Sequence, residues 1–142
     1  MTDPRIVSLI ASSTETICAL GFEEQLVGRS HECDYPPAVL NLPKCSEAKF
    51  DLNGSSLEID QRVQDTLQNA ISVYKVFADE LERLKPTHII TQDHCEVCAV
   101  SFKDVEAAAK ELISSSPKIV SLAPNSLDDI YGGIVEIADS LA

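Results

Sequence analysis

"RIVSLIASSTETICALGFEEQLVGRS", residues 5–30, decides how the chain folds. It opens on a β-branched apolar run, RIVSL (5–9), of strand length. A serine-rich turn follows, where Ser12 and Glu15 stand at the spacing of a helix capping box. Ile17 and Leu20 fall on one face of the helix so begun, and Gly21 is the residue type that commonly ends one. QLVGRS (25–30) then reads as a second, shorter strand.

The same alternation continues outward. HECDYPPAVLNLP turns at its adjacent prolines, and the stretch to about residue 54 reads as irregular. A long helix is expected from Ser55 or Ser56, with Glu58 at capping distance and Ile59, Val63, Leu67, Ala70 and Tyr74 as its stripe. A short helix, ADELERLK, stops at Pro86, and THIIT (87–91) is the third strand. Ser101 and Asp104 cap a further helix with Phe102, Val105, Ala109 and Leu112 on one face. KIVSL (118–122) is the fourth strand. Ser126 and Asp129 start the last helix, whose expected buried face is Leu127, Ile130, Ile134, Ile137 and Leu141. Strands separated by helices predict an α/β fold of three layers: a mainly parallel four-stranded sheet with helices on both faces. RIVSL and KIVSL echo each other, but five residues do not make a repeat.

With 142 residues the chain has the length of one domain, so residues 1–142 are read as a single lobe. Apolar residues make up 44% and charged ones 24%, a globular composition. Eleven basic residues against twenty-three acidic ones leave a charge of −12, which repels phosphate backbones and argues against nucleic acid. MTDPRIVSLIASS lacks the basic head and long greasy stretch of a secretory signal, and nothing suggests membrane insertion. The expected location is therefore cytoplasmic, or periplasmic if a leader has been removed. Five cysteines, an odd number, argue against a disulfide framework.

In an open parallel sheet, ligands sit beyond the carboxyl ends of the strands. Four loops are expected there: ASST (11–14), SHECDYP (30–36), QDHCEVC (92–98) and APNS (123–126). His31, Cys33, His94, Cys95 and Cys98 fall in two of them, so one composite rim is expected. Thiolate and imidazole suit zinc or iron, and His31, Cys33, Cys95 and Cys98 make a possible metal-binding or metal-sensing set. A redox pair fits less well. Both thiols precede the Ser101 cap, and Asp93 and Glu96 would raise their pKa values.

Plainer readings stand beside these. Cys18 and Cys45 read as small core hydrophobes, and His88 as a strand residue. Asp34 and Pro36 suit a turn, and Tyr35 either packs under its loop or touches ligand. DELER reads as a solvated helix face. No nucleophile–base pair, GxSxG elbow, or Walker or Rossmann glycine pattern occurs, so neither a hydrolase nor a nucleotide enzyme is expected.

The order of segments resembles the first lobe of the class III substrate-binding proteins of ABC importers, which serve cobalamin, haem and iron–siderophore uptake. The pieces that carry the likeness are Ala19–Gly21, Leu26–Gly28, Asp34–Pro37, LKPTHIITQ (84–92) and SLAPNSLDDI. The cobalamin branch is the most similar. HECDYP and QDHCEVCAV resemble a subgroup often labelled cobalamin-binding without export. The resemblance implies a Rossmann-like lobe that binds a corrinoid and catalyses nothing. On this chain the implied ligand-facing positions are Ser12, Ser13, His31, Glu32, Cys33, Asp34 and Tyr35, with Asn125 on the fourth loop. It also implies a transporter permease as partner, docked through one acid per lobe. Aligning on LKP puts that acid at Asp79, shorter than the usual glutamate. The second lobe of the family is absent from this chain, so a separate second lobe or a second copy is the other expected partner.

Overall fold

The computed structural model describes residues 2–48, 51–69, 74–92 and 114–142. Four strands form one parallel sheet: β1 (Ile6–Ser8), β2 (Leu26–Arg29), β5 (His88–Gln92) and β6 (Lys118–Leu122), in the order β2-β1-β5-β6. Ile6 sits opposite Leu26 on one side and His88 on the other, and His88 in turn opposite Lys118. The strands are buried on both faces because successive residues point to opposite sides. Val7, Leu9 and Ile89 meet Cys45, Leu81 and Leu84 on one face. Ile6, Ile90 and Val120 meet Ile17, Val39, Ile137 and Leu141 on the other. Helices α1 (Ala11–Ala19) and α4 (Leu127–Leu141) cover this second face, and α3 (Ala78–Leu84) covers the first. The three-layer parallel architecture expected from the sequence is the one observed.

Local chemistry explains where the helices start and stop. In α2 (Ser56–Asn69), Ser55 N–H donates to Glu58 Oε2 at 2.7 Å and Glu58 N–H donates to Ser55 Oγ at 3.3 Å, a reciprocal capping box. At the end of α1, Gly21 takes φ +88°; its N–H donates to Cys18 O, and Phe22 N–H donates to Ile17 O. That pair of bonds closes the helix, and the left-handed turn they need favours glycine. Ser126 caps α4 by accepting the Asp129 N–H at 3.1 Å. Helix α3 ends with Lys85 left-handed, just before Pro86.

Several expectations are corrected. Ser12 does not cap α1: the helix already begins at Ala11, behind an extended Ile10 that offers no side-chain cap. The stretch read as irregular contains β3 (Ser46–Ala48), which pairs antiparallel with β4 (Tyr74–Val76). Tyr74 is thus a strand residue rather than the end of the α2 stripe. Strands of three residues are too short to show a period, so long-range pairing overrode the helical pattern. The expected buried face of α4 holds only at its far end. Ile137 and Leu141 are buried, whereas Leu127 is 63% exposed and Ile130 50%. The helix expected over Ser101 to Leu112 lies outside the described residues.

Candidate ligand-binding site

Both α1 and α4 begin at the carboxyl edge of the sheet, one directly after β1 and the other just after β6. Both meet the core through their C-terminal halves, at Ile17, Ile137 and Leu141. Between them lies an open groove of about 690 Å³, lined by Ser12, Ser13 and Thr16, by Leu122 to Asn125, and by α4 from Asp128 to Ile137. β1 and β5 are neighbours at the point where the strand order reverses, the position where parallel sheets form a binding crevice.

The α1 side of this groove carries a hydroxyl with no partner among the described residues. The first turn of α1 has no side-chain cap from Ile10 and no acid to offset its dipole. Ser13 is 1% exposed, and its Oγ has no hydrogen-bond partner among the described residues. Ser12 beside it is exposed. On the α4 side, Asn125 is exposed and its N–H donates to Asp129 Oδ2 at 2.9 Å. That bond, with the Ser126 hydroxyl, holds the Asp129 carboxyl below the usual carboxylate range. Three side chains expected at the site, Ser12, Ser13 and Asn125, therefore share one groove.

The loop after β2 behaves differently. Arg29 is buried, and its guanidinium donates to the carbonyls of Cys33 (3.0 Å), Ser30 (3.3 Å), Leu42 (3.2 Å) and Leu40 (3.4 Å). Cys33 is fully buried and turned inward: its Sγ lies 3.0 Å from Thr14 Oγ1 and 3.3 Å from Ser30 Oγ. Thr14 Oγ1 also lies 2.8 Å from Ser8 Oγ, tying strand, helix and loop together. His31 Nδ1 lies 2.9 Å from Ser46 Oγ, which also accepts the His31 N–H, and Nε2 is 3.9 Å from Glu32 Oε1. Burial pushes the His31 pKa down, and Lys44 and Arg29 push the same way, against Glu32 and Glu47. The ring is neutral near pH 7 on this account. Asp34, Glu32 and Tyr35 are exposed, Tyr35 at 60%.

Of the four residues considered for a metal, Cys33 and His31 are each engaged inside the protein with different partners, while Cys95 and Cys98 lie outside the described residues, as does His94. No group of three or more His, Cys, Asp or Glu able to hold a metal occurs among the described residues. Cys45, behind the rim, is pushed up to about 12 by burial. Asp79 is exposed in the first turn of α3, which packs on the sheet face away from the groove. The sequence reading missed the α4 wall of the groove: Asp128, Ile130, Gly132, Gly133, Ile134 and Glu136. The visible signal was the Gly132–Gly133 pair inside an otherwise regular apolar helix pattern.

No protein-family model matches the chain, and no curated protein matches it in sequence. Solved structures do. The periplasmic heme-binding protein RhuT from Roseiflexus sp. RS-1, in apo form, superposes with a TM-score of 0.66 at 23% identity, over 99% of this chain and 42% of that one. The periplasmic vitamin B12-binding protein BtuF of Vibrio cholerae gives 0.66 at 22%, over 98% and 42%. The periplasmic heme-binding protein HutB of Vibrio cholerae gives 0.64 at 24%, over 99% and 42%. At these identities the likeness establishes the fold, a lobe of the periplasmic-binding-protein type. The chain spans 42% of the length of each of these three structures.

Proposed function

We propose that this lobe binds a large organic ligand at the groove between α1 and α4, that the ligand is a corrinoid such as cobalamin, and that no catalysis takes place there. The shared fold supports a binding role, since the neighbours are named for heme and vitamin B12. The observation that favours a corrinoid is the charge of the groove. Its charged side chains among the described residues are Asp128, Asp129 and Glu136, all acids. Haem carries two carboxylates at its edge, which such a wall repels. A corrin ring is edged with neutral amides, whose N–H groups suit carboxylates and whose carbonyls suit Ser12, Ser13 and the bare first turn of α1.

The remaining expectations are part of the same proposal. Residues 1–142 act as one lobe. An open groove buries one side of such a ligand, and tight sites bury most of it, so a facing lobe or second copy completes the pocket. Tyr35, Asp34, Glu32 and His31 supply the outer margin, and Asp79 is the position for permease docking. The periplasmic location is the one the neighbours support. Calorimetric and absorbance titration with aquocobalamin, cobinamide and haemin tests the reading. Saturable binding of the corrinoids with weaker binding of haemin is expected. Binding of haemin alone would overturn the corrinoid assignment, and silence with all three would overturn the binding role.

A further inference from the structure

Helix α4 has two adjacent glycines, Gly132 and Gly133, in its middle. Glycine is a poor choice in a helix interior, because its backbone loses the most freedom on folding and it packs nothing. Packing does not require it here. A Cβ built on Gly132 meets no atom of the described residues within 4 Å, and one on Gly133 meets only Leu122 at ordinary contact distances of 3.6 and 3.8 Å. Neither residue has the positive φ that would call for glycine. Among the described residues alanine would fit both positions and strengthen the helix, so their packing gives no reason for the pair.

The groove does give one. Both glycines line it, beside the apolar side chains of Ile130 and Ile134, and α1 contributes Ser13, whose buried hydroxyl has no partner among the described residues. We infer that Gly132 and Gly133 form a side-chain-free window in α4 on which the flat face of a ring ligand lies directly against helix backbone. The amide edge of that ring is held at Ser13 Oγ. This rests on the corrinoid reading for the edge chemistry, but the window itself requires only a broad planar face. The acids on the same helix, Asp128 and Glu136, then become the specificity-determining neighbours of the window, accepting from amides and disfavouring carboxylates.

The inference trades stability against binding, and that trade is measurable. Gly132→Ala/Gly133→Ala is expected to raise the melting temperature by several degrees, as relief of helix-interior glycine does in domains of this size, and to weaken corrinoid binding at least tenfold. Ser13→Ala is expected to leave melting unchanged or higher, since the hydroxyl has no partner to lose among the described residues, and to weaken binding about fivefold. Amide NMR of the wild-type protein with aquocobalamin, cobinamide and haemin locates the contact independently of the variants. The Gly132 and Gly133 amides should shift on binding. A higher melting temperature with unchanged affinity would overturn the inference, and so would a lower melting temperature. Corrinoid-induced shifts confined to other residues would overturn the window and leave the corrinoid reading in place. Shifts at the two glycines with haemin alone would keep the window and remove the corrinoid. Shifts at the two glycines with none of the three probes would overturn it outright.

Discussion

The loop after β2 and the groove beside α4 lie on the same edge of the sheet, and they treat polar groups in opposite ways. In the first, Arg29 and Cys33 are spent on the protein itself, on four carbonyls and on Thr14 and Ser30, and one ring nitrogen of His31 is held by Ser46. In the second, the Ser13 hydroxyl is buried with no partner among the described residues, α1 begins uncapped, and α4 shows bare backbone. A residue type suited to ligand chemistry is therefore a poor guide to where a ligand goes. What matters is whether the fold has already satisfied it. Buried polar groups are nearly always paired, so the Ser13 hydroxyl, one of the few without a partner among the described residues, marks a side of the rim that can still serve a ligand.

The sharpest way to break this contrast is to cut the closed side. Arg29→Met should destabilise the protein by about 3 kcal/mol, because it strands several carbonyls that the buried guanidinium serves. Ile130→Ala on the open side should cost less than about 0.5 kcal/mol, since half of that side chain is already in solvent. Urea unfolding of both variants checks the pair; equal losses would mean the two sides are built alike. A smaller effect, about 1–2 kcal/mol, is expected for Thr14→Val, which removes the hydroxyl joining Ser8 to Cys33. It should also make Cys33 more reactive toward a thiol reagent, and an unchanged modification rate would show that the loop does not depend on that contact.

The smallest effect concerns pH. Burial lowers the His31 pKa, so the folded state favours the neutral ring. Its contribution is complete above the unfolded value of about 6.5 and is lost as pH falls below that toward the folded value. His88, also lowered chiefly by burial, acts in the same direction. Stability should therefore decline on acidification below about pH 6.5, and His31→Gln should flatten part of that decline. A variant whose unfolding midpoint follows the wild-type pH curve would place the effect entirely on His88 or elsewhere.

Much of the architecture was legible because it rests on near neighbours along the chain. Gly21, the Ser55–Glu58 box and the Ser126–Asp129 cap are bonds across three or four residues, so spacing alone reveals them. The β3–β4 pairing was not legible. Its strands are three residues each and are separated by the whole of α2, so neither has a period of its own. The stripe of α4 misled for a related reason. Apolar spacing identifies a helix face, but only a neighbour decides how much of that face is covered, and Leu127 and Ile130 stay exposed.

The amino-acid order by itself determined the alternation of strands and helices, and with it a parallel sheet covered on both sides. Periodicity and capping act over a few residues, and right-handed crossovers leave little choice after that. Tertiary structure alone decided which polar groups were consumed. Cys33 meets Thr14, and His31 meets Ser46, across distances in sequence that no local pattern encodes. Hydrogen bonding saturates: once a group has its partner in the folded interior, it has little left to offer a ligand.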